Sequence, residues 1–173
     1  EKAKPDDAAS GMIANVTVSK AEFTNFNNYR YLGGITGQNG EDACVQNCSF
    51  INGTIQETGG SAAGNCYGGI AGENRGILED CTIRSIRMEV TGVYTATSTS
   101  TTNEKEQKSS HAGGVTGKNE ETGVITGCLI ESALNGGNAS EIQVESGMAG
   151  GIAGYNKGQI ELSGDAVTEK LMA

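Results

Sequence analysis

Apolar and polar residues alternate along this chain in short bursts. From Asn15 the run is Val16-Thr-Val18-Ser-Lys-Ala21-Glu-Phe23, where the alternation slips by one residue between Val18 and Ala21. A period of two marks a strand with one buried face, and the slip marks a bend between two short strands. The same figure returns as Phe50/Gly53/Ile55 and Ile83/Ile86/Met88. Three segments also align on a cysteine, Cys48-Ser-Phe50, Cys81-Thr-Ile83 and Cys128-Leu-Ile130, and Val16-Thr-Val18 fits the frame without one.

Between these strand pairs a second pattern recurs four times. Gly33 to Asn39, Gly68 to Asn74, Gly113 to Asn119 and Gly150 to Asn156 all match G-G-[IV]-[TA]-G-x-N, with starts 35, 45 and 37 residues apart. A repeat of this length signals a unit that cannot bury its apolar face alone and must stack on copies of itself. Motif and cysteine are fifteen residues apart in copies one and three and thirteen in copy two, so Asn39 and Asn119 are followed by two extra turn residues. In the fourth copy Ser163 replaces the cysteine and Asp165 falls at an apolar position, as suits a frayed or capped last coil.

Each unit therefore reads as strand, bend, strand, loop, glycine motif, turn, strand. The predicted fold is all-β, a right-handed parallel β-helix of about four coils. A β-propeller shares the period but calls for longer strands and more aromatic residues. Residues 1–11 are polar and read as a linker or expression remnant, and residues 12–173 as a single solenoid domain.

Within the motif, Ile35, Ile70, Val115 and Ile152 should form an inward aliphatic ladder, with Thr36, Ala71, Thr116 and Ala153 on the opposite, thinner face. The glycines Gly33, Gly34, Gly68, Gly69, Gly113, Gly114, Gly150 and Gly151 serve tight turns and close backbone approach. Asn39, Asn74, Asn119 and Asn156 fall at one corner, where stacked amides can hydrogen-bond from coil to coil. Cys48, Cys81 and Cys128 are read as stacked small hydrophobes. Cys44 and Cys66 stand off that column, so a disulfide between them or to a neighbour fits an oxidising compartment.

The variable loops are expected to leave from one edge, where repeat proteins place binding residues. Their candidate contacts are Thr95, Thr97, Thr99, Thr101 and Asn103 in the polar run from Thr95 to Ser110, and Asn135 and Asn138 in the run from Asn135 to Glu141.

Composition narrows the function. A net charge of −9 with scattered Lys and Arg argues against a nucleic-acid partner. No apolar run reaches the roughly 20 residues of a membrane-spanning helix. The chain starts at Glu1 without a leader, and the expectation is a piece of a longer protein. Zinc is disfavoured, because Cys44/Cys48 lack a second pair and His111 is the single histidine. His111 aligns with Leu32, Tyr67 and Ala149 and reads as a surface or edge residue. No H-E-x-x-H or G-x-S-x-G occurs, and no cofactor or catalytic residue is assigned. The enzyme class that suits this fold is a glycan hydrolase or lyase, which needs paired carboxylates. Its candidates, Glu41/Asp42, Glu79/Asp80 and Glu120/Glu121, sit at different repeat positions, and the first and last pairs suit at most weak calcium binding.

The run Gly68-Gly-Ile-Ala-Gly-Glu-Asn-Arg-Gly76-Ile77-Leu-Glu-Asp-Cys81, followed nearly as well by Gly150 to Ile160, resembles the GLUG repeat of bacterial surface proteins. Such repeats occur in large secreted or wall-anchored proteins, among them adhesins and immunoglobulin A peptidases. The resemblance covers roughly Val16 to Leu162 and implies an extracellular solenoid serving as stalk, spacer or binding surface. It implies as partners a host protein or glycan and flanking repeats of the same polypeptide. The two-residue insertions and the missing fourth cysteine depart from the pattern.

Overall fold

The computed structural model describes residues 11–24, 30–57, 64–91, 109–131, 139–145 and 147–161. Five short strands make one coil. The first coil holds β1 (Met12–Ala14), β2 (Thr17–Ser19), β3 (Glu22–Thr24), β4 (Tyr31–Gly33) and β5 (Thr36–Asn39). The second holds β6 (Cys44–Gln46), β7 (Ser49–Ile51), β8 (Thr54–Glu57), β9 (Cys66–Gly68) and β10 (Ala71–Asn74). The third holds β11 (Ile77–Glu79), β12 (Thr82–Arg84), β13 (Arg87–Val90), β14 (Ser110–Gly113) and β15 (Thr116–Asn119). The fourth holds β16 (Val124–Thr126), β17 (Leu129–Glu131), β18 (Glu141–Val144), β19 (Gly147–Gly150) and β20 (Ala153–Asn156), and β21 (Gln159–Glu161) opens a fifth.

Every strand pairs in parallel with its counterpart one coil away, which builds five sheets, one of five strands and four of four. The chain is thus a parallel β-solenoid rather than a propeller. Its backbone groups are satisfied between coils, and the turns extend the same ladder: Asn47 N–H donates to Glu79 O at 2.9 Å and Asn52 N–H to Arg84 O at 2.9 Å.

The slip in the hydrophobic pattern is a corner. Lys20, Asn52 and Ser85 hold φ of 57°, 52° and 52° between the second and third sheets, and Asn15, Asn47 and Asp80 hold 59°, 50° and 50° one corner earlier. A single left-handed residue redirects the strand without a loop, and Asn and Asp tolerate that region better than most side chains.

The interior is a set of single-residue columns. Phe50 and Ile83 stack in one with half-buried Val18 and Ile130, and Ile55 and Met88 in the next with Phe23 and Ile142. The cysteines form another: Cys48, Cys81 and Cys128 point their thiols at carbonyls of the preceding coil, Ile13 O at 3.7 Å, Val45 O at 3.5 Å and Leu78 O at 3.5 Å. All five cysteines are free, so neither Cys44 nor Cys66 forms a disulfide; Cys44 lies in the first sheet and Cys66 in the fourth.

The asparagines make a continuous amide column. Asn39 Nδ2 donates to Asn74 Oδ1, Asn74 Nδ2 to Asn119 Oδ1 and Asn119 Nδ2 to Asn156 Oδ1, each at 2.8 Å. The same nitrogens reach main-chain carbonyls, as Asn74 does Gly76 O at 3.1 Å. A β-carbon at Gly76 would lie 2.2 Å from the Gly40 and Ala43 oxygens, so only glycine lets the following turn close over the amides.

The face that carries Ala71 and Thr116, opposite the aliphatic ladder, is fully buried in these coils. Only two residues separate β9 from β10, so these strands fold tightly on each other, and Gly72 brings the fifth sheet's backbone against Leu32 N and Cys66 O of the fourth. The insertions, expected to leave from one edge, do not share one. Residues 58–63 and 92–108 fall between the third and fourth sheets, but 132–138 fall between β17 and β18, at the corner before. The alternation Glu141-Ile-Gln-Val144 is a strand of the third sheet.

An alanine β-carbon at Gly114 would lie 2.2 Å from Gly151 O and 2.5 Å from Ile130 Cδ1, whereas at Gly151 the nearest atom is 4.0 Å away. Gly114→Ala should therefore cost about 3 kcal/mol or prevent folding, and Gly151→Ala less than about 1 kcal/mol, in urea unfolding. Asn74→Ala should cost about 2–4 kcal/mol by leaving buried polar partners unmatched, and Asn156→Ala, at the exposed end of the column, under about 1 kcal/mol.

Candidate binding face

Thr95, Thr97, Thr99, Thr101, Asn103, Asn135 and Asn138 lie outside the described residues. What the described residues show instead is a strip where the fourth and fifth sheets meet. Its first column is Tyr31, Cys66, His111 and Met148, paired in register. Its second is Gln38, Glu73, Lys118 and Tyr155.

The tight turn Gly-Gly-aliphatic sets these columns side by side, and they interact across it. Glu73 is only 1% exposed, yet its Oε1 accepts from Gln38 Nε2 at 2.7 Å and Arg75 Nε at 2.9 Å. Lys118 Nζ pairs with Glu120, and it stands 6.0 Å from the centre of the Tyr155 ring, with Lys157 5.7 Å away. Arg30 lies 5.8 Å from the Tyr31 ring centre. The His111 ring packs on Tyr155 at 5.1 Å. Tyr155 and Tyr31 are half-buried, so each ring keeps part of its surface open to a ligand.

These contacts tune the acids and bases. Burial works against the Lys118 charge, but Glu120 outweighs it and raises the pKa. Burial raises Tyr31, helped by the Glu73 charge. Burial, then Glu73, pushes the Cys66 thiol up to about 12.

His111 is neither a surface nor an edge residue. It is 3% exposed, and the register places it with Tyr31, Cys66 and Met148, one residue away from the inward column of Leu32, Tyr67 and Ala149. Its Nδ1 stands 4.0 Å from Cys66 Sγ. A cysteine beside a histidine suggests a nucleophile, but catalysis needs thiolate, and a thiol held near 12 supplies almost none at neutral pH.

The carboxylate candidates are not brought together. Glu41 and Asp42 are exposed in the first coil's turn, Glu120 pairs with Lys118 in the third, and the two turns are two coils, about 10 Å, apart. Glu79 accepts from Gln46 Nε2 at 2.9 Å in the first sheet, and Asp80 forms the corner after it. Among the described residues no three His, Cys, Asp or Glu side chains gather as a metal site would require.

A depression of about 770 Å³ lies at the corner between the second and third sheets, lined by Asn52, Ser85, Arg87, Ser140 and Glu141 together with Ile86 and Ala139. Its lining is mixed polar and apolar and presents no aromatic ring. A buried polar pair, Glu57 with the Tyr67 hydroxyl, sits one corner further on; burial and this bond raise the tyrosine's pKa. Nothing in the hydrophobic pattern marked Glu57, because it takes the place that Val90 fills in the next coil.

Comparisons of the chain with protein-family models, with curated proteins and with solved structures find no match in any of the three.

The raised thiol makes a pH prediction. A thiol whose folded pKa exceeds its ordinary 9.0 contributes stability in full below pH 9, and loses it as pH rises from there through about 12. Above pH 9 the wild type should lose stability more steeply than Cys66→Ser, by up to about 1.4 kcal/mol per pH unit. Urea unfolding at a series of alkaline pH values checks this; equal slopes would show that the thiol ionises as freely folded as unfolded.

Proposed function

We propose that this chain is a non-catalytic extracellular module of a bacterial surface or secreted protein, and that it adheres to a host protein or glycan through the strip between the fourth and fifth sheets. The observation that carries the reading is that strip itself. On a chain of net charge −9 it collects Arg30, Arg75, Lys118 and Lys157 beside two tyrosine rings, with Arg75 paired to Glu73 and Lys118 to Glu120. Tyrosine and arginine are the residues that dominate binding energy at recognition surfaces, because they bring large contact area and directional donors at small entropic cost. The repeat's likeness to the GLUG pattern supports the extracellular bacterial setting, and flanking coils of the same polypeptide fit an open-ended stack.

A second reading, a stalk that holds another domain at a distance, has its own support. A stack paired in register over four coils is a rod, and a rod needs no ligand. A glycan hydrolase or lyase remains the least supported reading, because the candidate carboxylates are dispersed.

The test is a panel of immobilised glycans and host matrix proteins probed with the wild type, with Tyr155→Ala/Lys157→Ala, and with a chain lacking residues 95–108. Adhesion through the strip predicts a ligand whose affinity falls at least tenfold in the double variant and is unchanged by the deletion. The reverse pattern would move the site to the loop. Binding by none of the three would leave the stalk.

A further inference from the structure

Cys66, His111 and Met148 occupy one column of the fourth sheet on three successive coils. In-register parallel pairing projects such side chains to the same side, about 4.8 Å apart along the axis. Cys66 and His111 are 1% and 3% exposed, and Met148 is half-buried at the column's outer end. Thiol sulfur and imidazole Nδ1 face each other at 4.0 Å, and the Tyr155 ring covers the imidazole.

That separation suits an ion held between them. At ordinary metal–thiolate and metal–imidazole lengths of about 2.3 and 2.05 Å, donors 4.0 Å apart subtend roughly 130° at the metal. This is wider than the tetrahedral angle and close to the roughly 120° of a three-coordinate centre, so the two donors need little movement and a third is called for. Met148 is on the next rung.

We propose that Cys66 and His111, completed by the Met148 thioether, bind a soft monovalent metal ion of the Cu(I) or Ag(I) type. Thiolate, imidazole and thioether are the donors that select such ions, and among the described residues no third histidine, cysteine, aspartate or glutamate joins Cys66 and His111 in a metal-binding group. On binding, the S–H bond is replaced by an S–metal bond and its proton passes to solvent; the metal keeps its oxidation state.

The core thiols Cys48, Cys81 and Cys128 could also take up soft ions, so the experiment must read the imidazole. His111 is the chain's single histidine, so untagged protein labelled with nitrogen-15 histidine gives one unambiguous reporter. Titrated with Ag(I) under reducing, anaerobic conditions, its Nδ1 resonance should shift and saturate at one equivalent. Competition for Cu(I) against a chromophoric chelator should show that Cys66→Ser and His111→Gln each lose that equivalent, and that Met148→Leu weakens it at least tenfold. Metal uptake with an unmoved imidazole would overturn the proposal, as would no uptake, or unchanged Cu(I) binding in Cys66→Ser. Should a variant fail to fold, the wild-type resonance still decides.

Discussion

A parallel strand can satisfy its backbone only if a neighbour runs beside it in register, and here that neighbour is always the same segment one coil away. The rest of the structure follows from this requirement. Each coil must turn at the same places, so left-handed residues recur at the same two corners. Each column must hold side chains that tolerate stacking on their own kind. Differences in length between units must leave at corners, because an extra residue inside a strand would break its pairing with the strands on either side.

The same requirement explains why polar residues can be buried so deeply. An isolated asparagine in a core has unmatched donors and acceptors, a cost of about 1–3 kcal/mol for each group left unpaired. Stacked asparagines meet each other's needs, and glycine in the following turn lets main-chain carbonyls take the remaining hydrogens. Glu73 reaches the same balance by another route. It sits between Gln38 and Arg75, whose amide and guanidinium groups both donate to its Oε1 while the guanidinium opposes its charge.

Much of the architecture was legible because the repeat writes it four times. Asn39, Asn74, Asn119 and Asn156 announce a corner amide column, and Cys48, Cys81 and Cys128 a stacked core. The strip between the fourth and fifth sheets was not legible. Its existence depends on how far the chain folds back after Gly-Gly, which the motif does not state. Ala112, not His111, is the residue in register with Leu32, Tyr67 and Ala149, and in the middle coils the neighbouring column of Cys66 and His111 is buried as deeply, which an alternating inside-outside pattern does not announce. The third insertion was placed late for a related reason: Glu141-Ile-Gln-Val144 carries only two apolar residues, and a polar stretch before it hid the strand. The loop threonines and asparagines stand out by composition alone, which says nothing about where a loop's surface faces.

The amide column has a direction. Every link runs from a nitrogen in one coil to an oxygen in the next, beginning with the oxygen of Asn39 and ending with the amide hydrogens of Asn156. The two ends of the rod therefore differ chemically: one offers an acceptor and the other a donor. A further coil can join the column only head to tail, and two like ends cannot mate through it. Growth of such a solenoid, whether by added repeats or by a neighbouring module, is polar by construction.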